Sequence, residues 1–125
     1  MNVKFDNLSN KVIGLAIEVH RKLGPGLLEN TYKQGLAYEL SHAGIKFLVE
    51  AELPVKYKDV RISCGYRIDL LIKNQLIVEL KCVDKIHPIH EAQILTYMKL
   101  SKVNVGLLIN FNVKTLNKGI KRFVL

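Results

Sequence analysis

The sequence VNVGLLINF, residues 103–111, is apolar almost throughout and shows no alternation of apolar and polar residues. A strand with one face in water shows such an alternation, whereas a strand covered on both faces does not. The run therefore predicts a strand in the interior of a layered domain. This constrains the fold strongly, because the rest of the chain must supply the neighbouring strands and the helices that pack on them.

The remaining segments supply both kinds of element. Residues 8–23 and 28–43 carry apolar stripes at helical spacing, and the sequence GPG at 24–26 ends the first helix. Four strand-like segments follow, predicted to form an antiparallel meander, and Pro88 marks the start of a third helix. The predicted fold class is α/β (α+β), a mixed β-sheet flanked by helices in the order ααββββαββ. Its elements are expected at residues 8–23, 28–43, 47–55, 60–64, 66–72, 76–82, 88–101, 103–111 and 120–125.

Composition bounds the class of protein. The chain has 125 residues, of which 49% are hydrophobic, so residues 1–125 are expected to form a single folded domain. The formal charge of +8, from 19 Lys and Arg against 11 Asp and Glu, favours a polyanionic partner such as nucleic acid. The sequence shows neither a membrane span nor a signal peptide, so a cytoplasmic location is expected. Cys64 and Cys82 are predicted to be free thiols.

Charged residues interrupt the two apolar strands of the sequence YRIDLLIKNQLIVELKC at 66–82. Asp69, Glu79 and Lys81 need partners if the sheet buries them. If a loop at 73–75 joins the strands, Asp69 lies opposite Glu79, and Lys81 projects to the same side as Glu79. Two carboxylates and a lysine so placed suit a divalent cation such as Mg²⁺ and the hydrolysis of a phosphodiester. An ordinary salt bridge across the two strands is the alternative.

The third predicted helix carries a polar pair within its apolar arc. Gln93 and Tyr97 are four residues apart and project from one face of the helix. An inward-facing polar pair needs hydrogen-bond partners, which the charged hairpin at 66–82 could supply. Glu29, in the first turn of the second helix, is a further acidic candidate, although the helix dipole alone also favours a carboxylate there. The arc predicted to face the core comprises Ile89, Ala92, Gln93, Thr96, Tyr97 and Leu100.

Histidines give two further candidates. His20 lies on the apolar side of the first helix and is predicted to be a hydrogen-bonded core residue rather than a catalyst. His87 and His90, followed by Glu91, stand at the start of the third helix with a spacing that zinc could use, but no third ligand is evident nearby in the sequence. A metal-stabilised structural or regulatory protein that uses these histidines is therefore a minor alternative.

These motifs together resemble the PD-(D/E)XK nuclease superfamily. Asp69, VELKC at 78–82 and QILTY at 93–97 are similar to the exonuclease-like branch that has a Q-x-x-x-Y helix. The stretches VIGLAIEVHRKLGPGLLENTYKQGLAYELSHAGI and HPIHEAQILTYMKLSKVNVGLLINFN resemble the small prokaryotic group of GxxExxxxxR proteins, so the resemblance covers nearly the whole chain. Ile68 stands where the superfamily has Pro, and Gly35 stands where the Arg of the group's name would fall.

The resemblance implies a restriction-endonuclease-like core and a site that depends on Mg²⁺ or Mn²⁺. Asp69 and Glu79 would be metal ligands, joined by the backbone carbonyl of Leu80. Glu29 would complete the metal site from the second helix, and Lys81 would position the attacking water. The implied catalytic set is Glu29, Asp69, Glu79, Lys81, Gln93 and Tyr97, of which the last two would brace Lys81 or contact the substrate phosphate.

The predicted function is that of a metal-dependent nuclease that hydrolyses phosphodiester bonds in DNA, with DNA favoured over RNA. The alternative is a catalytically inactive module with the same fold that binds nucleic acid or a protein partner. A homodimer would suit so small a nuclease, which has little surface with which to hold a duplex. The candidates for phosphate contacts are Lys56, Lys58, Arg61, Arg67, Lys114, Lys118, Lys121 and Arg122.

Overall fold

The computed structural model describes the backbone of residues 3–125 and the side chains of residues 7–125. Its helices are α1 (Val3–Leu23), α2 (Glu29–His42) and α3 (Pro88–Ser101), and a short 3₁₀ helix spans Leu116–Gly119. Its strands are β1 (Phe47–Glu52), β2 (Val55–Tyr57), β3 (Val60–Ile62), β4 (Arg67–Ile72), β5 (Leu76–Lys81), β6 (Val105–Asn110) and β7 (Ile120–Val124). The predicted α/β fold class is confirmed, with one strand more than the predicted order before α3.

One five-stranded sheet, in the order β1-β4-β5-β6-β7, forms the centre of the fold. β4 is antiparallel to β1 and β5, and β7 is antiparallel to β6. β5 and β6 are parallel, as expected for two strands connected through a helix. A mixed sheet flanked by helices is therefore confirmed.

The predicted meander is wrong in its first half. The segment predicted as one strand at 47–55 is divided, because Pro54 lacks the N–H group that a strand needs for pairing. The chain then leaves the main sheet, and β2 and β3 form a separate two-stranded sheet. As a result β1 pairs with β4 rather than with the next strand along the chain.

Both faces of the sheet are covered. β6 is buried at all six positions, which confirms the prediction from its apolar sequence. On one face, Leu107 belongs to the core that the sheet forms with α1 and α2. On the other face, Leu108 packs in a core that includes Ile94 and Met98 of α3. Gly106 permits close packing of α3, because a Cβ there would lie 2.7 Å from Sδ of Met98.

The start of α2 is held against the sheet and against α1. Tyr32 is fully buried and stacks on Phe111, with the ring centroids 4.5 Å apart. Its hydroxyl donates a hydrogen bond to the carbonyl of Gly24 in the loop between the helices. Gly35 faces α1, where a Cβ would lie 3.0 Å from Cγ1 of Val19. The Cβ of a larger residue at position 35, such as the Arg of the GxxExxxxxR pattern, would therefore be in tight contact with α1.

The structure also tests predictions about single residues. His20 is only 7% exposed, and its Nε2 lies 2.8 Å from the carbonyl oxygen of Val113, which confirms a hydrogen-bonded core histidine. Cys64 and Cys82 are both free thiols, as predicted. None of the described helices combines the length and the apolar character needed to cross a membrane.

Candidate active site

The charged hairpin consists of β4 and β5, joined by the predicted three-residue loop. Backbone pairing runs from this loop as far as Leu70, which faces Val78, in the predicted register. The next residues in this register are Asp69 and Glu79. β4 turns here, because Ile68 packs in the core of α3 whereas Leu70, two residues later, packs in the core of α1 and α2. The two strands therefore diverge where the two acids stand.

The two carboxylates bridge the gap between the diverging strands. Oε2 of Glu79 accepts a hydrogen bond of 2.7 Å from the backbone N–H of Asp69. Oδ2 of Asp69 accepts one of 2.9 Å from the backbone N–H of Leu80. Glu79 is 5% exposed, and the side chain of Asp69 is 15% exposed. Each acid is thus fixed by a backbone group of the opposite strand, within a largely buried gap.

The gap raises the pKa of two of its acids. Burial and then the charge of Asp69 raise the pKa of Glu79 from 4.5 to about 8, while the backbone hydrogen bond and Lys81 oppose this rise. Burial and then Asp69 also raise the pKa of Glu29, against the opposing charges of two lysines. Burial and mutual repulsion thus favour the neutral form of these acids, and a bound cation would favour their charged form.

Lys33 is a site residue that the sequence analysis missed. Its ammonium lies 3.2 Å from Oδ1 of Asp69 and 3.5 Å from Oε1 of Glu50, and the residue is 8% exposed. Although burial opposes the change, the two carboxylates raise the pKa of Lys33. Lys33 follows Glu29 by four residues, so the two lie on one face of α2. The one signal in the sequence was a lysine next to the apolar stripe of that helix.

Replacement of Lys33 with methionine is expected to destabilise the metal-free protein by about 1–3 kcal/mol above pH 8, because the carboxylates lose their ammonium partner. The loss should be smaller near pH 5, because the pKa of Glu29, whose charge Lys33 also compensates, is raised and more of this carboxyl is then neutral. Urea unfolding at both pH values measures the difference, with the exposed Lys22→Met as the control. A loss of equal size at the two pH values would contradict the electrostatic explanation.

Lys81 is the last residue of β5 and projects to the same side of the strand as Glu79. Its positive charge opposes the pKa rise that burial produces in Glu79 and Glu29. It also adds to the lowering of the pKa of His90, of which burial is the largest cause. The ammonium of Lys81 is therefore within electrostatic reach of two acids and of the start of α3.

Asn110 is a second residue that the sequence analysis missed. It is 3% exposed and lies beside Lys81 in the parallel pair of β5 and β6. Its side-chain amide donates to the carbonyl of Val83 at 2.8 Å and accepts from the backbone N–H of Val83 at 3.1 Å. These two bonds fix the backbone immediately after Lys81. A buried asparagine at the end of an apolar strand was the available signal.

The polar pair of α3, Gln93 and Tyr97, lies on the face of the sheet opposite to α1 and α2. Nε2 of Gln93 donates a hydrogen bond of 3.1 Å to the hydroxyl of Tyr97, which is 7% exposed. Burial and then the charge of Glu79 raise the pKa of Tyr97, so its hydroxyl lies within electrostatic reach of that acid. The structure thus brings Tyr97 and Gln93 to the charged hairpin.

The remainder of the predicted inward arc of α3 is wrong. The buried residues of this helix are Ile94, Tyr97 and Met98. The helix is apolar on more than one side, so its sequence alone did not determine which side faces the sheet. The residues predicted to be inward but found exposed are Ile89, Ala92, Thr96 and Leu100.

A comparison with models of protein families identifies the family of the chain. The model of the PD-(D/E)XK nuclease superfamily matches residues 6–123. The chain belongs to this superfamily. Comparisons with curated proteins and with solved structures found no match. The resemblance inferred from the motifs is therefore confirmed at the level of the superfamily, and the mixed sheet flanked by helices is consistent with its restriction-endonuclease-like fold.

In this PD-(D/E)XK protein, His87 and His90 close the first turn of α3. Nδ1 of His90 accepts a hydrogen bond of 3.0 Å from the backbone N–H of His87, and the N–H of His90 donates to the carbonyl of His87 at 2.9 Å. These bonds satisfy groups that a helix start leaves unpaired. The two histidines thus have a structural role that does not require zinc.

The resemblance also implied that Glu29 is a metal ligand. Across residues 7–125, no three His, Cys, Asp or Glu side chains are grouped closely enough to hold a metal ion. The close pair is Asp69 and Glu79, and Glu29 acts on it through its charge. A metal-ligand role for Glu29 therefore stays a prediction.

The basic residues predicted to contact phosphates differ in their surroundings. Lys121 forms an ion pair of 2.9 Å with Glu91, and Arg122 donates a hydrogen bond of 2.7 Å to Asn10. In the small β2–β3 sheet, Lys56 lies directly opposite Arg61. Like charges so placed repel each other, and an anion relieves this repulsion. The candidates with exposed side chains are Lys56, Lys58, Arg61, Arg67, Lys114, Lys118, Lys121 and Arg122.

Proposed function

We propose that this protein is a nuclease that hydrolyses phosphodiester bonds in DNA with the aid of Mg²⁺ or Mn²⁺. The observation that carries the proposal is the pair of carboxylates of Asp69 and Glu79, each of which accepts a hydrogen bond from a backbone N–H of the opposite strand. An ordinary salt bridge between the strands would lower the pKa of Glu79, whereas that pKa is raised to about 8. At Glu79 the arrangement therefore suits an external cation better than an internal ion pair, whereas Asp69 is paired with Lys33.

The donor set fits a hard divalent cation. Asp69 and Glu79 each use one carboxylate oxygen to accept a backbone N–H, which leaves Oε1 of Glu79 outside these bonds. Oδ1 of Asp69 lies 3.2 Å from the Lys33 ammonium and would face both that ammonium and a bound ion. Mg²⁺ is commonly held by one or two carboxylates, with water and substrate oxygens completing its shell. The N–H and C=O of a strand residue point to the same side, so the carbonyl of Leu80 faces Asp69 as its N–H does. When bound, the ion would polarise a phosphoryl oxygen and lower the pKa of a water.

The other residues have roles that follow from their surroundings. Lys81, held by the bonds of Asn110 to the next segment, would orient the attacking water and stabilise charge on the phosphate. The hydroxyl of Tyr97 accepts a hydrogen bond from Gln93 and so keeps its own proton for a phosphate oxygen. Glu29, in the first turn of α2, would add a further negative charge to the proposed metal site. We also propose that the chain belongs to the branch with the Q-x-x-x-Y helix and to the GxxExxxxxR group. The hydrogen bond between Gln93 and Tyr97 supports this assignment.

The proposed substrate is DNA. The charge of +8 provides attraction to a polyanion, and the exposed Lys56 and Arg61 provide a paired cationic site for its phosphates. An inactive binding module would share both features, so charge alone does not distinguish the two functions. The fixed acids and the adjoining lysine favour the enzyme, because binding alone does not require two acids where phosphate must approach.

A cleavage assay tests the proposal. Purified protein incubated with single-stranded, double-stranded and branched DNA, and with RNA of the same sequence, is expected to cut DNA in Mn²⁺ or Mg²⁺ and not in EDTA. Absence of cleavage on every DNA substrate, together with intact DNA binding, would favour the inactive module instead. Cleavage that persists in EDTA would contradict the metal requirement.

Replacement of Asp69 with asparagine is expected to weaken Mn²⁺ binding at least 10-fold, because one of two charged ligands is lost. Isothermal titration calorimetry in the absence of DNA measures this affinity separately from cleavage. Asp59→Asn, at the exposed turn between β2 and β3, is the matched control. Equal affinity in the two variants would exclude Asp69 as a ligand.

A further inference from the structure

A cavity of about 350 Å³ lies beside the proposed active site, between α3 and the start of β2. Two of its lining residues, Gln93 and Tyr97, belong to the proposed active site. A ligand in the cavity would therefore adjoin the reacting phosphate. The volume lies within the range of pockets that bind small organic groups. The lining residues are Val55, Tyr66, Ile89, Ala92, Gln93, Thr96, Tyr97 and Leu100.

The cavity exposes apolar and aromatic surface. Ile89 is 71% exposed, Tyr66 is 46% exposed and Leu100 is 38% exposed. These side chains include the part of the apolar arc of α3 that does not face the sheet. An apolar patch beside a functional site is typical of a surface that binds a ligand. Tyr66 meets Tyr97 edge to face, with the ring centroids 6.3 Å apart, so a neighbouring aromatic ring holds the Tyr66 ring in place.

The apolar lining is continuous with the proposed active site, because Gln93 and Tyr97 belong to both. An apolar and aromatic surface that adjoins a phosphate site matches a nucleotide, whose base is flat and whose phosphate is negative. A second copy of the chain suits the cavity less well, because two proteins of charge +8 repel each other.

We propose that this cavity takes an unpaired base of the DNA strand bound at the active site, stacked on Tyr66. This inference rests on the proposed nuclease function and specifies its substrate as DNA with unpaired bases beside the bond that is cut. A base inside an intact duplex is stacked on its neighbours and cannot enter the cavity. Single-stranded or frayed DNA is therefore preferred over blunt duplex.

Binding in EDTA tests this inference without turnover. Fluorescence anisotropy with a single-stranded oligonucleotide and with a blunt duplex hairpin is expected to show that Tyr66→Ala weakens single-strand binding by about 5- to 100-fold. Duplex binding should change by less than about 2-fold, because no base enters the cavity. Tyr66→Phe, which keeps the aromatic face, should bind as the wild type does. Ala92→Leu, which fills the cavity from α3, should also weaken single-strand binding.

The matched control is Tyr38→Ala, because Tyr38 is 66% exposed on α2, which packs on the other face of the sheet. Equal losses for single strand and duplex, no loss with Tyr66→Ala, or the same loss with Tyr38→Ala would each overturn the inference. Dimerisation that Ile89→Glu disrupts, measured by sedimentation, would identify a second copy as the occupant and overturn it too.

The two proposals fail separately. Tyr66-dependent binding of single strands by a protein that cuts no DNA supports the base pocket and contradicts the nuclease function. Metal-dependent cleavage by a protein whose single-strand binding is unaffected by Tyr66→Ala supports the nuclease and overturns the base pocket.

Discussion

Replacement of Lys81 with methionine is expected to lower the rate of DNA cleavage by about 100- to 1,000-fold, with the fold intact. Methionine keeps an unbranched side chain in the half-buried position at the end of β5 but removes the ammonium. Lys33 cannot take over, because its ammonium already pairs with Asp69 and Glu50. Single-turnover cleavage in Mn²⁺ at saturating protein measures the chemical step, and anisotropy in EDTA measures DNA affinity.

The controls separate catalysis from simple phosphate contact. Lys46→Met removes an exposed lysine next to the hairpin loop, at the other end of β4 and β5, and should leave the rate within about 2-fold. If Lys81→Met lowers DNA affinity as much as it lowers the rate, Lys81 is a phosphate contact and not a catalytic group. An unchanged rate would contradict the proposed nuclease mechanism, because Lys33, the other lysine beside the acids, is already paired.

The sequence predicted the charged hairpin well because its geometry is local. A three-residue loop and the alternation of strand residues determine the register, so the placement of Asp69 opposite Glu79 followed without knowledge of the rest of the fold. The end of backbone pairing at this point was not predictable in the same way. It depends on the turn of β4 after Ile68, which packs in the core of α3.

The missed residues reach the site through contacts that are distant in sequence. Lys33 contacts Asp69 because α2 packs against the sheet edge near the gap, and helical periodicity alone treats such a lysine as a surface residue. Asn110 contacts Val83 only after β6 has paired with β5. The orientation of α3 is likewise tertiary, because Gly106 provides the space that Ile94 and Met98 fill.

The raised pKa of Glu79 predicts that the metal-free protein loses stability as the pH rises from about 5 to 8. Folded Glu79 has a pKa of about 8, whereas the unfolded chain has the ordinary value of 4.5. Between these values the folded state binds one more proton than the unfolded state, so each increase in pH favours unfolding. The raised pKa of Glu29 acts in the same direction. In the proposed metal site, burial of Glu79 would therefore destabilise the fold until a cation binds.

Replacement of Glu79 with glutamine is expected to stabilise the metal-free protein at pH 9 by on the order of 1–4 kcal/mol. The amide oxygen can still accept the N–H of Asp69, but the side chain carries no charge into the buried gap. The same variant should lose the stabilisation that Mn²⁺ gives the wild type, because binding to the folded state is weakened. Urea unfolding from pH 5 to 9, in EDTA and in Mn²⁺, measures both effects, with the exposed Glu52→Gln as control. A variant less stable than wild type at pH 9 in EDTA would show that the charged Glu79 stabilises the metal-free fold, which would contradict this prediction.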